Sequence, residues 1–181
     1  MDQIFAPWRI DWVERDDKNA DLDGCPFCVL PERDDDRSNL VVAESESTVV
    51  ILNNYPYNPG HAMVIPRRHI GSYEDLTEAE LLDHARLKQV TLRAFDAGLN
   101  PDGVNTGMNL GEGAGGSIGD HIHTHIVPRW KGDTNFMPVV GDSKVIVEAV
   151  DDTYGRLQEG FSAQPEATDD DPDGAVEIAF D

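Results

Sequence analysis

The sequence predicts an α+β fold: an antiparallel sheet carrying one long helix, followed by an acidic C-terminal extension. Residues 49–52 and 62–65 are β-rich runs separated by turn-forming Asn, Pro and Gly, which predicts neighbouring antiparallel strands. Thr77-Glu78-Ala79-Glu80 is a capping box, and Leu81, Leu82, Ala85, Leu92 and Phe95 follow at helical spacing before Gly98. The remainder shows little strand–helix alternation, which argues against a doubly wound parallel sheet.

Taken in order, the first strand pair brackets Asn53-Asn54-Tyr55-Pro56-Tyr57-Asn58-Pro59-Gly60. The helix comes next, and His84 beside Asp83 reads as part of its solvated face. Residues 104–110 form a weaker strand candidate. A glycine loop follows, and then His121-Ile122-His123-Thr124-His125-Ile126-Val127. In an extended strand successive side chains alternate faces, so the three imidazoles project to one side. The body is expected to run over 1–160 and a flexible acidic tail over 161–181. Residues 161–174 are polar and proline-punctuated, and 175–180 regain apolar content, which allows docking on the body, docking on a partner, or an untethered end.

At 181 residues the chain suits one domain. No apolar run approaches the ~20 residues of a membrane helix, and the first residues lack a signal-peptide pattern, so a cytoplasmic location is expected. The net charge of −21, with only four lysines, is spread along the chain. Such a surface repels nucleic-acid backbones and anionic membranes, and it disfavours the compact state unless salt screens it. A halophilic setting is therefore expected.

Three clustered histidines out of six in the chain suit attack on phosphorus or metal binding better than a core. Gly111-Glu112-Gly113-Ala114-Gly115-Gly116-Ser117 allows close backbone approach to an anion, with Ser117 adding a hydroxyl. Its spacing matches neither a Walker loop nor a dinucleotide fingerprint. Cys25-Pro26-Phe27-Cys28 has metal-ligand spacing and needs two further ligands, for which His69 and His121 are candidates; a redox pair or two buried thiols are the alternatives. His61 is either a fourth imidazole of the site or a turn histidine. Arg67-Arg68 and Arg129-Trp130-Lys131 are placed to offset charge for a polyphosphate, with surface ion pairs as the alternative for Arg67-Arg68.

These segments together resemble the histidine triad (HIT) family of nucleotide hydrolases and transferases. The resemblance rests on 121–127 with its upstream Gly-Ser loop, on Asn53 through Pro66-Arg67-Arg68-His69-Ile70, and on Asn109 to Ser117. Ala6-Pro7-Trp8-Arg9, the Cys-Pro-Phe-Cys segment, and Pro128-Arg129-Trp130 followed by Gly132-Asp133-Thr134-Asn135-Phe136 look like the diadenosine tetraphosphate phosphorylase branch. The sequence departs from the family at Thr124, normally apolar, and at Gly116, where related branches often carry glutamine. The resemblance implies a sheet of about five strands and a homodimer. It implies His123 as a nucleophile forming a nucleotidyl-histidine, His125 and His61 on phosphate oxygens, and Asn53 on the ribose. It places Asn109, Gly115, Gly116 and Ser117 along the phosphates. Cys25, Cys28, His69 and His121 would hold a structural zinc ion, and magnesium dependence stays open. The implied activity is cleavage of adenosine dinucleoside polyphosphates by phosphorolysis or hydrolysis. An adenosine phosphoramidase and a non-catalytic nucleotide sensor are the alternatives.

Overall fold

The computed structural model describes residues 22–114, 118–133, 149–168 and 174–181. The segment containing Ala6 to Arg9, the loop residues Gly115, Gly116 and Ser117, and Asn135-Phe136 lie outside them. Among the described residues the helices are α1 (Pro26–Val29), α2 (Asp36–Asn39), α3 (Glu78–Gly98) and α4 (Val150–Ser162). The strands are β1 (Val41–Glu44), β2 (Thr48–Leu52), β3 (Ala62–Pro66), β4 (Gly103–Met108), β5 (Thr124–Arg129) and β6 (Val176–Glu177). They form one six-stranded sheet in the order β4-β5-β3-β2-β1-β6.

The expected α+β class and the long helix are present, and the expected β-rich pair is an antiparallel ladder, β2 with β3. The sheet is mixed, however, because β6 adds to β1 in parallel. That sixth strand comes from the segment expected to be a flexible tail. Ala175, Val176 and Ile178 are buried, and the Ile178 N–H donates to the Glu44 carbonyl. Docking a short apolar strand there covers an edge that would otherwise expose unpaired backbone groups.

The expected boundary at 160/161 falls inside α4, a second helix that the reading of one long helix omitted. Its buried residues include Tyr154, Leu157 and Phe161, a spacing that follows the helical period. α4 packs against α3 at close range. A Cβ at Gly98 would run into the Arg156 carbonyl, and one at Gly160 into the Ala94 carbonyl, so glycine at both positions permits the crossing.

The helices cover one face of the sheet. Val50, Leu52, Ala62, Val64 and Ile126 meet Leu87, Val90, Ala94, Phe95, Tyr154 and Phe161 there. Each fully buried Val, Leu, Ile or Phe contributes about 1.5–3 kcal/mol of transfer free energy. The opposite face carries Val49, Ile51, Met63 and Ile65, covered by Phe27 of the cysteine turn. The capping box forms as expected, with Thr77 accepting from the Glu80 N–H and Glu80 answering. The buried stripe of α3 is not the expected one. His84, Leu87, Val90, Thr91, Ala94 and Phe95 face inward, whereas Leu82 is half exposed and Ala85 is exposed. The stripe is rotated because His84 occupies a core position, contrary to its reading as a solvated residue.

Candidate active site and metal centre

Period-2 alternation puts Thr124 and Ile126 toward the helices and His123 and His125 on the opposite face. Both ladders that hold β5 end at Thr124, paired to Val64 of β3 and to Met108 of β4. His123 therefore stands one residue beyond the ladders. It is buried, with the Phe27 ring 4.9 Å away.

Hydrogen bonds assign the ring nitrogens. His123 Nδ1 lies 2.9 Å from the His121 carbonyl. A carbonyl only accepts, so Nδ1 carries the proton and Nε2 presents its lone pair. Burial pushes the His123 pKa below the ordinary imidazole value, which keeps the ring neutral near pH 7. The Tyr57 N–H donates to His61 Nδ1 at 3.2 Å, so the proton of a neutral His61 sits on Nε2. That nitrogen is 2.9 Å from His125 Nδ1, to which it donates. His125 in turn keeps its proton on Nε2, as a donor suited to an anionic oxygen. Tyr57 stacks on His61 at 4.8 Å and 17°, fixing the ring plane.

Asn53 closes β2, where its Oδ1 accepts from the Tyr55 N–H and its Nδ2 approaches the Met63 sulfur. Leu52, Asn53, Pro59, His61, Val150 and Thr153 line a hollow that includes His61 but neither His123 nor His125. Asn109 follows β4 and is exposed. Gly115, Gly116 and Ser117 fall outside the described residues.

The fourth group of residues forms a metal-type cluster. Pro26 starts a single helical turn, which places Cys25 and Cys28 on one side. Ligand atoms of Cys25, Cys28, His69 and His121 all lie within 4.8 Å of one another. Cys25 Sγ is 3.4 Å from His121 Nδ1, and Cys28 Sγ is 3.3 Å from His69 Nδ1 and 3.5 Å from His121 Nδ1. Tetrahedral zinc with ordinary Zn–S and Zn–N lengths separates such atoms by about 3.6 Å, so the donor set fits. The other nitrogen of His121 donates to the Pro66 carbonyl at 2.7 Å, leaving Nδ1 bare toward the sulfurs. Desolvation, and then the neighbouring Cys25, raise the Cys28 pKa to about 11. A divalent cation would favour the thiolate instead.

The HIT domain profile matches residues 35–132. The chain belongs to the HIT domain family. It is 38% identical over 170 residues to an AP-4-A phosphorylase of Mycobacterium tuberculosis, covering 91% of this chain and 87% of that protein. It is 31% identical over 97 residues to a bis(5'-adenosyl)-triphosphatase of Dictyostelium discoideum, covering 54% of this chain and 64% of that one. Among solved structures, a Zn-bound histidine triad family protein from Mycobacterium smegmatis superposes with a TM-score of 0.61 at 27% identity, covering 77% of this chain and 94% of that one.

This HIT domain brings His61, His123 and His125 together, and separately Cys25, Cys28, His69 and His121. Three arginines of the basic groups are engaged in ion pairs. Arg129 is bound at 2.6 Å to Asp133, Arg67 at 2.6 Å to Glu44, and Arg68 at 2.7 Å to Glu80. Sequence reading missed Tyr57, Phe27, Asn58 and Asp133. Asn58 is buried and donates to the Pro128 carbonyl and to Asp133, both at 2.9 Å, tying the turn before His61 to the end of β5. Asn58 standing directly before Pro59-Gly60, a turn-forming run, was the available signal.

Proposed function

We propose that this protein is a nucleotide hydrolase or nucleotidyltransferase that cleaves adenosine dinucleoside polyphosphates through a nucleotidyl-His123 intermediate. The carrying observation is the pair of opposed tautomers, a bare Nε2 on His123 beside a protonated Nε2 on His125. The two rings are 4.8 Å apart, close enough to serve one phosphoryl group.

In the first step His123 Nε2 attacks the α-phosphorus, an N–P bond forms, and the P–O bond to the departing polyphosphate breaks. His125 donates to a phosphoryl oxygen as charge accumulates there. His61 acts through His125 by holding its tautomer. In the second step water or inorganic phosphate attacks phosphorus, the N–P bond breaks, and the ring is restored. Asn53, Asn109, Gly115, Gly116 and Ser117 are assigned to ribose and phosphates by family position. Cys25, Cys28, His69 and His121 would hold a structural zinc ion, which with four protein ligands would supply stability and no chemistry. A homodimer through the exposed edge strand β4 is part of the same reading.

Incubation with diadenosine tetraphosphate in high salt, with and without phosphate and magnesium, tests it. ADP plus ATP formed only with phosphate means phosphorolysis, and AMP plus ATP means hydrolysis. Full activity on adenosine phosphoramidate with neither product would make the protein a phosphoramidase. Binding without turnover would make it a sensor. The AP-4-A phosphorylase similarity supports the phosphorolytic outcome. High salt is specified because a net charge of −21 implies a screened working medium, so stability should fall on dilution into salt-free buffer. Unchanged stability there would remove the halophilic reading.

A further inference from the structure

His84 and Thr124 form a polar pair inside the core that the proposed chemistry does not use. Thr124 stands where the family pattern is apolar, and His84 is 4% exposed on the inner face of α3. His84 Nε2 is 3.3 Å from the Val64 carbonyl and 3.1 Å from Thr124 Oγ1. The carbonyl can only accept, so Nε2–H is shared between the two oxygens. Val64 and Thr124 are register partners across β3 and β5. One imidazole thus straddles one rung of the sheet.

That rung is the last one. Beyond it the backbone of His123 has no partner in either ladder, and the next tie is the Ile122 N–H to the Ile70 carbonyl at 2.7 Å. On the far side of Thr124, β3 continues toward His61 and β5 carries His125. The helix that supplies the grip is itself anchored, because Asp83 accepts from Ser45 and Ser47 of the β1–β2 turn. Burial depresses the His84 pKa, so the ring is neutral near pH 7 and adds no charge to the core.

We propose that His84 and Thr124 are positioning residues, a clamp on the terminal rung of β3 and β5 that sets His123 against His125. The proposal rests on the reading of His123 as the nucleophile. A polar pair here is costly to bury unless satisfied, and a Val64–Thr124 rung alone would leave the strand end held only by backbone bonds. The clamp replaces nonspecific contact with a directional one at the point where a small displacement matters most. Misplacement by about 1 Å is enough to cost on the order of a hundredfold in rate.

The test uses the full chain with Thr124→Val, Thr124→Ser, His84→Leu and the double variant His84→Leu/Thr124→Val. Thr124→Val preserves shape and deletes the hydroxyl. It should lower kcat on diadenosine tetraphosphate roughly tenfold and leave KM within about twofold. The ¹⁵N signals of the His123 ring, recorded without substrate, should move in Thr124→Val and return in Thr124→Ser. The double variant should be no slower than His84→Leu alone, because both substitutions open the same clamp. A folded Thr124→Val protein with wild-type kcat and wild-type His123 signals overturns the proposal, as do losses that multiply in the double variant. If His84→Leu does not fold, the two Thr124 variants decide alone. If the wild-type chain turns over no dinucleoside polyphosphate, the substrate reading fails, and the His123 ring signals still decide the clamp.

Discussion

His121 and His123 are two residues apart and both pack against Phe27, yet one joins a cluster that could hold a metal ion and the other is the proposed nucleophile. The difference lies in the nitrogen that faces away. His121 gives Nε2–H to the Pro66 carbonyl and so presents Nδ1 to the sulfurs of Cys25 and Cys28. His123 gives Nδ1–H to the His121 carbonyl and so presents Nε2. The same residue type acquires opposite polarity from the position of one backbone acceptor. The two roles are also joined, since the carbonyl that orients His123 belongs to the residue expected to bind zinc.

The largest effect that breaks the comparison is loss of His123, the proposed nucleophile. His123→Ala should reduce turnover by roughly a thousandfold or more, because no other described group presents an unprotonated nitrogen there. Mass spectrometry of wild-type protein quenched with radiolabelled dinucleotide should find adenylate on His123. Adenylate on any other residue would undo the assignment.

His61→Phe sharpens it next. Phenylalanine preserves the stack on Tyr57 and deletes the donor to His125 Nδ1. One of the bonds that set the His125 tautomer is then lost, and kcat should fall about 10- to 100-fold, the range typical of groups that orient a functional histidine. A direct phosphate contact by His61 would instead show mainly in KM.

Cys28→Ser addresses the metal half. Zinc content should drop from one ion per chain, and thermal stability should fall by several kcal/mol. Turnover should fall as well, by less, since His121 then keeps its bond to the Pro66 carbonyl but loses the metal that steadies the carbonyl holding His123. Because the Cys28 thiol keeps its proton well above neutral pH without metal, zinc uptake should release protons and weaken as pH falls. A dye-based proton count on metal addition measures this directly.

How much of this was legible depended on whether the signal was local. The capping box and the β2–β3 pair are written in neighbouring residues, and both form; of the expected histidine strand only His125 lies in β5, because the ladders stop at Thr124. The four metal-type ligands span 96 positions but sit in recognisable motifs, so resemblance found them. What failed was tertiary. The helix stripe was set one register off, because histidine at position 84 reads as polar until Thr124 and Val64 are brought to it. β6 was hidden because two residues of strand have no period to detect, and only the vacant edge of β1 gives them a partner. The tautomers were invisible, being fixed by carbonyls whose direction only the fold decides.

The smallest expected effect concerns the network that braces His61 from behind. Asp133 accepts from Arg129 at 2.6 and 3.0 Å, from Asn58 at 2.9 Å and from the Trp130 N–H at 3.2 Å. The Arg129 guanidinium is the main reason its carboxyl titrates at about 2, against an ordinary value of 3.8. A folded-state value below the unfolded one stabilises the fold at higher pH. The contribution is complete above the ordinary value and disappears as pH falls through about 2. Asp133→Asn should therefore cost on the order of 2 kcal/mol near pH 7, and less where solvent screens the pair. The gap to wild type should narrow between pH 4 and pH 2, as measured by chemical denaturation at each pH. kcat should change less than in His61→Phe, because Asn58 keeps its bond to the Pro128 carbonyl. A gap that stayed constant down to pH 2 would mean that Asp133 holds the turn through shape and neutral hydrogen bonds, with its charge contributing nothing.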